Sequence, residues 1–252
     1  MLTKSDSANR PANRLLAALP PDVFDRIRPD LRTIATATQQ VFHRQGAPIE
    51  HVYFLNGGVG SITTVLEDGT TVEAATVGDE GLLGIDAFFT ANAIASGENI
   101  MQVPDTDAER MAVAAFQREI AQNGLFHDLI GQYAQLMTAH LMQSTACNAT
   151  HNIEERCARW LLQTHDRVHG QDFQLSQEFL GIMLGVRRQS VGMVAATLQR
   201  AGLIRYTHGR VTVLDREGLE TSSCECYHVL RSRFDKFAKH WPAASGKTSA
   251  TA

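Results

Sequence analysis

The chain has 252 residues, of which 44% are hydrophobic and 20% charged, and a formal net charge of −4. That is an ordinary globular composition, longer than the usual single domain and short for three. No stretch approaches the ~18 consecutive apolar residues of a membrane-spanning helix, and the opening MLTKSDSANRPANR lacks the apolar core of a secretory signal. The four cysteines are scattered without a disulfide framework, so a reducing cytoplasm is the expected setting, with no membrane partner.

Residues 1–13 are polar and expected to be disordered, as is the tail 243–252. Residues 14–19 begin a short helix stopped by Pro20-Pro21, and Asp22 is placed to cap a second one running through Ile27. From about 31 to 103 the character changes to short β-prone runs at 40–43, 51–55, 60–65, 71–75 and 99–103. Gly46, Asn56-Gly57-Gly58, Asp68-Gly69 and Gly78-Asp79-Glu80-Gly81 separate them, which predicts an antiparallel barrel or jelly roll. His43 and His51 fall on these strands, and a lone strand histidine without ligand spacing is read as structural rather than as a haem ligand.

A linking helix is predicted over 108–123, stopped by Asn123-Gly124, and the longest helical pattern follows over 125–150. Within it Phe126, Leu129, Tyr133, Leu136, His140, Gln143 and Cys147 recur at alternating three- and four-residue steps. Such a heptad-like seam suits a homodimer interface, with His140 and Gln143 as register-setting polar positions; packing on the chain's own β-domain is the alternative. Residues 148–152 read as a hinge, after which Ile153, Cys157, Trp160, Leu161 and Thr164 continue an amphipathic helix.

The most informative stretch is 175–201, two short amphipathic helices joined by a tight turn. Ser176 stands at the N-cap, Phe179, Leu180, Met183 and Leu184 share one face, and Gly185 breaks the pattern where a left-handed residue is wanted. In the second helix Val191, Val194, Ala195 and Leu198 share one side, with Gln189, Met193, Ala196 and Arg200 opposite and Arg187, Arg188, Gln189 and Ser190 at its first turn. A helix-turn-helix places such a first turn against base edges in the major groove; arginine bonds guanine bidentately and glutamine does the same for adenine. Two β-prone runs flanking Thr207-His208-Gly209-Arg210 then form a wing. Between 173 and 216 six arginines face only Glu178 and Asp215, a basic island in an acidic chain. A last helix over about 216–241 carries Arg231, Arg233, Lys236 and Lys239, a further DNA contact. On one helix Cys224 and His228 would share a face while Cys226 points away, so this triplet is not expected to hold a metal.

The string LGVRRQSVGMVAATLQRAGLI resembles the helix-turn-helix of the Crp–Fnr transcription regulators, and the glycine spacing of 31–103 resembles their cyclic-nucleotide-binding β-roll. The likeness covers about residues 14–216. It implies an α+β protein with an N-terminal antiparallel, cyclic-nucleotide-binding-like jelly roll, a long dimerisation helix and a C-terminal winged helix-turn-helix. It puts Arg188, Gln189 and Met193 on bases, Ser176, Gln177 and Ser190 near phosphates, and His208 and Arg210 at the wing tip. Many members carry Arg where this chain has Met193, so their usual operator is not carried over.

Nucleotide-binding members hold the cyclic phosphate with an Arg beside a Ser or Thr after a Gly-Glu pair. Here Asp79-Glu80-Gly81-Leu82-Leu83-Gly84 stands at that place, and from Gln45 to Glu109 the only basic residue is His51, against eleven carboxylates. Burying a phosphate monoanion there without a cation costs several kcal/mol. Side chains such as Ile85, Phe88 and Phe89 could fill the pocket instead, with Arg110 and Arg118 the nearest reserve cations. The expectation is therefore a homodimeric transcription regulator in two domains, 14–150 and 151–241. It would bind an inverted repeat in double-stranded DNA independently of cyclic nucleotide, with RNA polymerase as a further partner, no cofactor, no metal and no enzymatic activity. A cyclic-nucleotide or haem sensor acting through protein partners is the competing reading.

Overall fold

In β3 (His51–Leu55) residues Val52 and Phe54 point inward and are wholly buried, the period-two signature of a strand with one face on a core. The computed structural model, which describes residues 10–240, pairs β3 with β6 (Leu82–Leu83) and β8 (Asp107–Ala112), and β8 in turn with β1 (Leu31–Ala35). The facing sheet has the order β2 (Val41–His43), β7 (Glu98–Val103), β4 (Val59–Val65), β5 (Thr71–Val77), and all pairs in both sheets are antiparallel. This is the expected jelly roll. The turn into β4 demands glycine: Gly58 has φ +80°, and a Cβ there would lie 2.3 Å from the Val103 carbonyl oxygen.

Two expectations are corrected at the edges of the roll. The predicted linking helix 108–123 begins only at α3 (Val113–Ile120), because 107–112 is the strand β8. Asp-Ala-Glu-Arg-Met-Ala favours helix locally, but pairing on both sides with β1 and β3 satisfies the backbone groups it offers, and tertiary context overrides propensity. The other correction concerns 10–13, which are ordered. Asn13 is fully buried and donates to the carbonyls of Leu55 and Gly81, both at 2.8 Å, while its Oδ1 caps α1 (Arg14–Ala17). The guanidinium of Arg10 lies over the Phe24 ring of α2 (Pro21–Ile27). The rest of the expected disordered ends, 1–9 and 243–252, lies outside the described residues.

The 26-residue α4 (Leu125–Thr150) is the spine. Phe126, Leu129, Ile130, Tyr133 and Met137 enter the same core as Leu16, Phe54, Leu82 and Phe116, each large apolar side chain contributing about 1.5–3 kcal/mol. His151 then breaks the helix with an extended backbone, and Asn152 opens α5 (Ile153–His165) through a capping box with Glu155. The helix break is therefore confined to 151–152, and 148–150, expected in the hinge, are the last residues of α4. Cys157, Trp160, Leu161 and Thr164 are buried as expected, the first three in the second core with the helix-turn-helix.

That second core holds β9 (Asp172–Gln174), α6 (Gln177–Leu184), α7 (Arg188–Arg200), β10 (Ile204–Thr207) and β11 (Arg210–Val213). The expected helix over 216–241 is two helices, α8 (Arg216–Thr221) and α9 (Cys226–His240), and α9 folds back along α4. Phe234 meets the His140 ring edge-on, and Arg233 donates to the Ala139 carbonyl.

Candidate nucleic-acid interface

The helix-turn-helix is built as its sequence dictates. Ser176 Oγ accepts from the Phe179 N–H, Gly185 closes α6 with φ +63°, and a Cβ at Gly181 would press within 2.9 Å of the Val186 carbonyl in the turn. Val191, Val194, Ala195 and Leu198 of α7 are buried against α6 and α5, so Gln189, Met193, Ala196 and Arg200 must face outward. Met193 is 67% exposed. Arg187 occupies the N-cap position of α7 and Arg188 its first turn, where the positive end of the helix dipole adds to both guanidinium charges. Both side chains are exposed, and neither makes a hydrogen bond or ion pair among the described residues. One residue outside the expected set positions this unit: Arg156 of α5 donates to the Leu184 carbonyl at the C-terminus of α6.

His208 and Gly209, with φ +50° and +74°, form the two-residue turn between β10 and β11. The sheet has a third strand that periodicity alone did not show, β9, and it changes the electrostatics. Arg210 forms an ion pair with Asp172 of β9, and Arg216 is held by Asp166, Glu220 and the Tyr227 hydroxyl away from the wing. The basic island is thus narrower than the sequence count, with Arg187, Arg188, Arg200 and Arg205 its exposed members without an ion pair among the described residues. In α9, Arg231 is engaged by Glu220 and Tyr227, and Arg233 by the Ala139 carbonyl of α4.

The predicted dimer seam lies inside the protomer. Phe126, Leu129, Tyr133, Leu136, His140 and Cys147 are buried against the β-roll and α9, and Gln143 donates to the Cys226 sulfur. The alternative packing is the one realised, because a 26-residue helix with a β-roll on one side and α9 on another spends its apolar stripe internally. The exposed face of α4 instead carries Gln135, Thr138, Met142, Thr145 and Ala149, also at alternating three- and four-residue steps, with Met142 70% exposed.

At the expected nucleotide cassette the charge balance also differs from the sequence count. A cation does reach it, from beyond α5. Arg167 donates from Nε and Nη2 to both oxygens of Glu80, at 2.6 to 3.2 Å, with a further bond to Thr76. Arg14 approaches the same carboxylate, and the two cations overcome its burial to hold the Glu80 carboxyl down at about 2. Tyr133 fills the space over Gly81, where a Cβ would lie 2.2 Å from its hydroxyl oxygen. Ile85 and Phe88 pack on the core, whereas Phe89 is 67% exposed and fills nothing. Arg110 sits on β8 beside His51 and Tyr53, and Arg118 pairs with Asp30, so neither is a reserve cation for the cassette. His43 Nε2 donates to the His51 carbonyl, a structural role.

Sequence comparison decides what the C-terminal unit is. Residues 155–222 form a Crp-like helix-turn-helix domain. No curated protein gives a significant match to the chain. Solved structures with the same fold include FixK2 from Bradyrhizobium japonicum, with a TM-score of 0.60 at 16% identity, covering 77% of this chain and 98% of that one. A structure described as a Crp/Fnr-family regulator, from Eubacterium rectale, aligns with a TM-score of 0.60 at 17% identity, over 82% and 96% of the two chains. A CRP/FNR-family regulator from Thermus thermophilus gives 0.60 at 20% identity, over 76% and 98%. The Crp–Fnr resemblance read from the recognition string and the glycine spacing thus holds for the Crp-like domain and for the α+β fold that carries it. Among the described residues no helix is long and apolar enough to cross a membrane.

Proposed function

We propose that this protein is a sequence-specific DNA-binding transcription regulator whose α7 reads the major groove. The observation that carries this reading is the pair Arg188-Gln189, exposed and uncommitted at the positive N-terminus of the second helix of a Crp-like helix-turn-helix. Ser176 supports it from α6: its oxygen caps the helix while its hydroxyl proton stays available for a phosphate. Gln177, Ser190, Met193 and His208 flank the same surface. Arg210 joins the phosphate contacts by exchanging Asp172 for DNA.

In this reading the protein acts as a homodimer on an inverted repeat, with half-sites about one helical turn apart. The dimer contact is the exposed Gln135–Met142–Ala149 stripe of α4 and not the buried seam. Units 14–150 and 151–241 act as sensor-like and DNA-binding parts, RNA polymerase is the further partner, and the setting is the cytoplasm, with no catalytic step. Cyclic nucleotide is not required. The Glu80 carboxylate that would hold a ribose is already paired with Arg167, so a nucleotide would have to break a buried ion pair to enter.

Selection of binding sequences from a random DNA pool by the full-length protein tests this directly. Enrichment of an inverted repeat is the expected result; no enrichment over the starting pool contradicts it.

A further inference from the structure

Outside the DNA-binding surface the molecule gathers four soft ligands that the sequence scatters. Cys147 and His151 lie one turn apart at the end of α4, Cys224 sits in the turn before α9, and Cys226 is the first residue of α9. The reason for excluding a site from the sequence therefore fails: 224 is not on the helix with 226, and the imidazole comes from His151, while His228 is exposed and stacks edge-on against Tyr227. The four ligand atoms all lie within 4.8 Å of one another. Cys147 Sγ is 3.5 Å from Cys224 Sγ, and Cys226 Sγ is 3.7 Å from His151 Nδ1.

We propose that Cys147, His151, Cys224 and Cys226 form a closed tetrahedral site for one zinc-class divalent ion. Metal–sulfur bonds of ~2.3 Å in a tetrahedron give edges of ~3.8 Å, which the observed separations already approach, and such spacing leaves room for one ion and none for an iron–sulfur core. The donor set is the soft Cys3His combination of structural zinc sites. The surroundings fit independently. His151 Nε2 is 2.9 Å from the Glu225 carboxylate, the outer-shell bond that fixes a ligating histidine with Nδ1 toward the metal. Gln143 Nε2 donates to the Cys226 sulfur at 3.1 Å, as a thiolate would accept. Arg156 and Arg159 lie near enough to offset thiolate charge.

Metal uptake would balance as one divalent ion in and three thiol protons out to solvent, with His151 binding as neutral imidazole. The site joins the end of α4, the 151–152 hinge and the α8–α9 turn, so an ion there ties the Crp-like domain to the α4 spine.

The test uses the full chain, stripped with chelator under reducing conditions and titrated with Co2+ and then Zn2+. Saturation at one equivalent, with thiolate-to-cobalt charge transfer and intense tetrahedral ligand-field bands displaced by Zn2+, is the expected result. Cys226→Ser should weaken Co2+ binding by roughly 100-fold or more and Glu225→Gln by roughly tenfold, while His228→Ala leaves it unchanged. Absence of stoichiometric uptake by the reduced wild-type chain, a weak octahedral spectrum, or a loss in His228→Ala equal to that in Cys226→Ser overturns the proposal. The wild-type titration decides even if Cys226→Ser does not fold. A Cys147–Cys224 disulfide that survives reduction in place of metal binding also overturns it.

Discussion

Arg167, two residues past the end of α5, grips Glu80 of the β-roll through two nitrogens, and both side chains are almost fully buried. Beside it Trp160 Nε1 donates to Glu73, which also accepts from Ser61 and Gln102. The domain boundary is therefore held by buried polar pairs as well as by packing. Arg167→Ala should destabilise the protein by on the order of 3–5 kcal/mol, because it strands a buried carboxylate, while Arg167→Met with Glu80→Leu should recover most of the loss. Denaturant unfolding of the three proteins checks this; an Arg167→Ala variant as stable as the wild type contradicts it.

Acid should destabilise the fold through His140. Unfolded, this histidine takes up a proton near its ordinary 6.5; folded, burial first, then the charges of Arg167, Arg159 and Arg233 set against Glu80, push it down to about 3. The unfolded state thus binds more protons below pH 6.5, and stability falls as the pH drops from there toward 3, by about 2 kcal/mol at pH 5 for this group alone. Glu80, ionised in the fold down to about 2, adds its own loss below its ordinary 4.5. Glu73, raised by burial, works in the opposite sense. The comparison isolates His140: His140→Leu should flatten the slope of stability by about half a proton at pH 6.5, rising to about one proton at pH 5, and an unchanged slope refutes the assignment.

The Arg210–Asp172 pair makes a prediction about phosphate binding. Asp172→Asn releases Arg210 and removes an acid from the wing, so affinity should rise for all DNA sequences alike. Arg210→Ala should weaken all sequences alike and reduce the salt slope by about one phosphate. Salt titrations of both variants on two unrelated duplexes read the effect; a change confined to one sequence would place Arg210 on a base instead.

Dimerisation should respond to the exposed face of α4. Met142→Glu should yield a folded monomer by light scattering, whereas Leu129→Ala should lower stability by roughly 2–5 kcal/mol through a core cavity. A Met142→Glu protein that stays dimeric would contradict this face.

How much of this was legible beforehand follows from where the signals are local. The helix-turn-helix was readable because Ser176, Gly185 and the Val191–Leu198 face are fixed by caps and a 3.6-residue period within one segment. Strand β3 was readable as a short β-prone run bounded by turn residues. What stayed hidden depends on partners distant in sequence. Nothing in Asp-Ala-Glu-Arg-Met-Ala announces a central strand, and nothing in 166–170 announces that Arg167 reaches Glu80, 87 residues away. Heptad steps on α4 show that one face is buried but not by what, so the seam served the protomer's own core and α9. The Cys224-x-Cys226 pair and the Cys147–His151 spacing of four were the local signals for the soft-ligand cluster, and they needed α9 to fold back before they meant anything together.

The most direct test of the account is base preference at the Arg188 contact. With the selected operator and its single-base variants in hand, Arg188→Ala should cost roughly 1–3 kcal/mol on the operator and erase discrimination at one base pair in each half-site, leaving the others intact. Equal loss of affinity across every variant, or undiminished discrimination at all positions, would contradict the claim that α7 reads the major groove through Arg188.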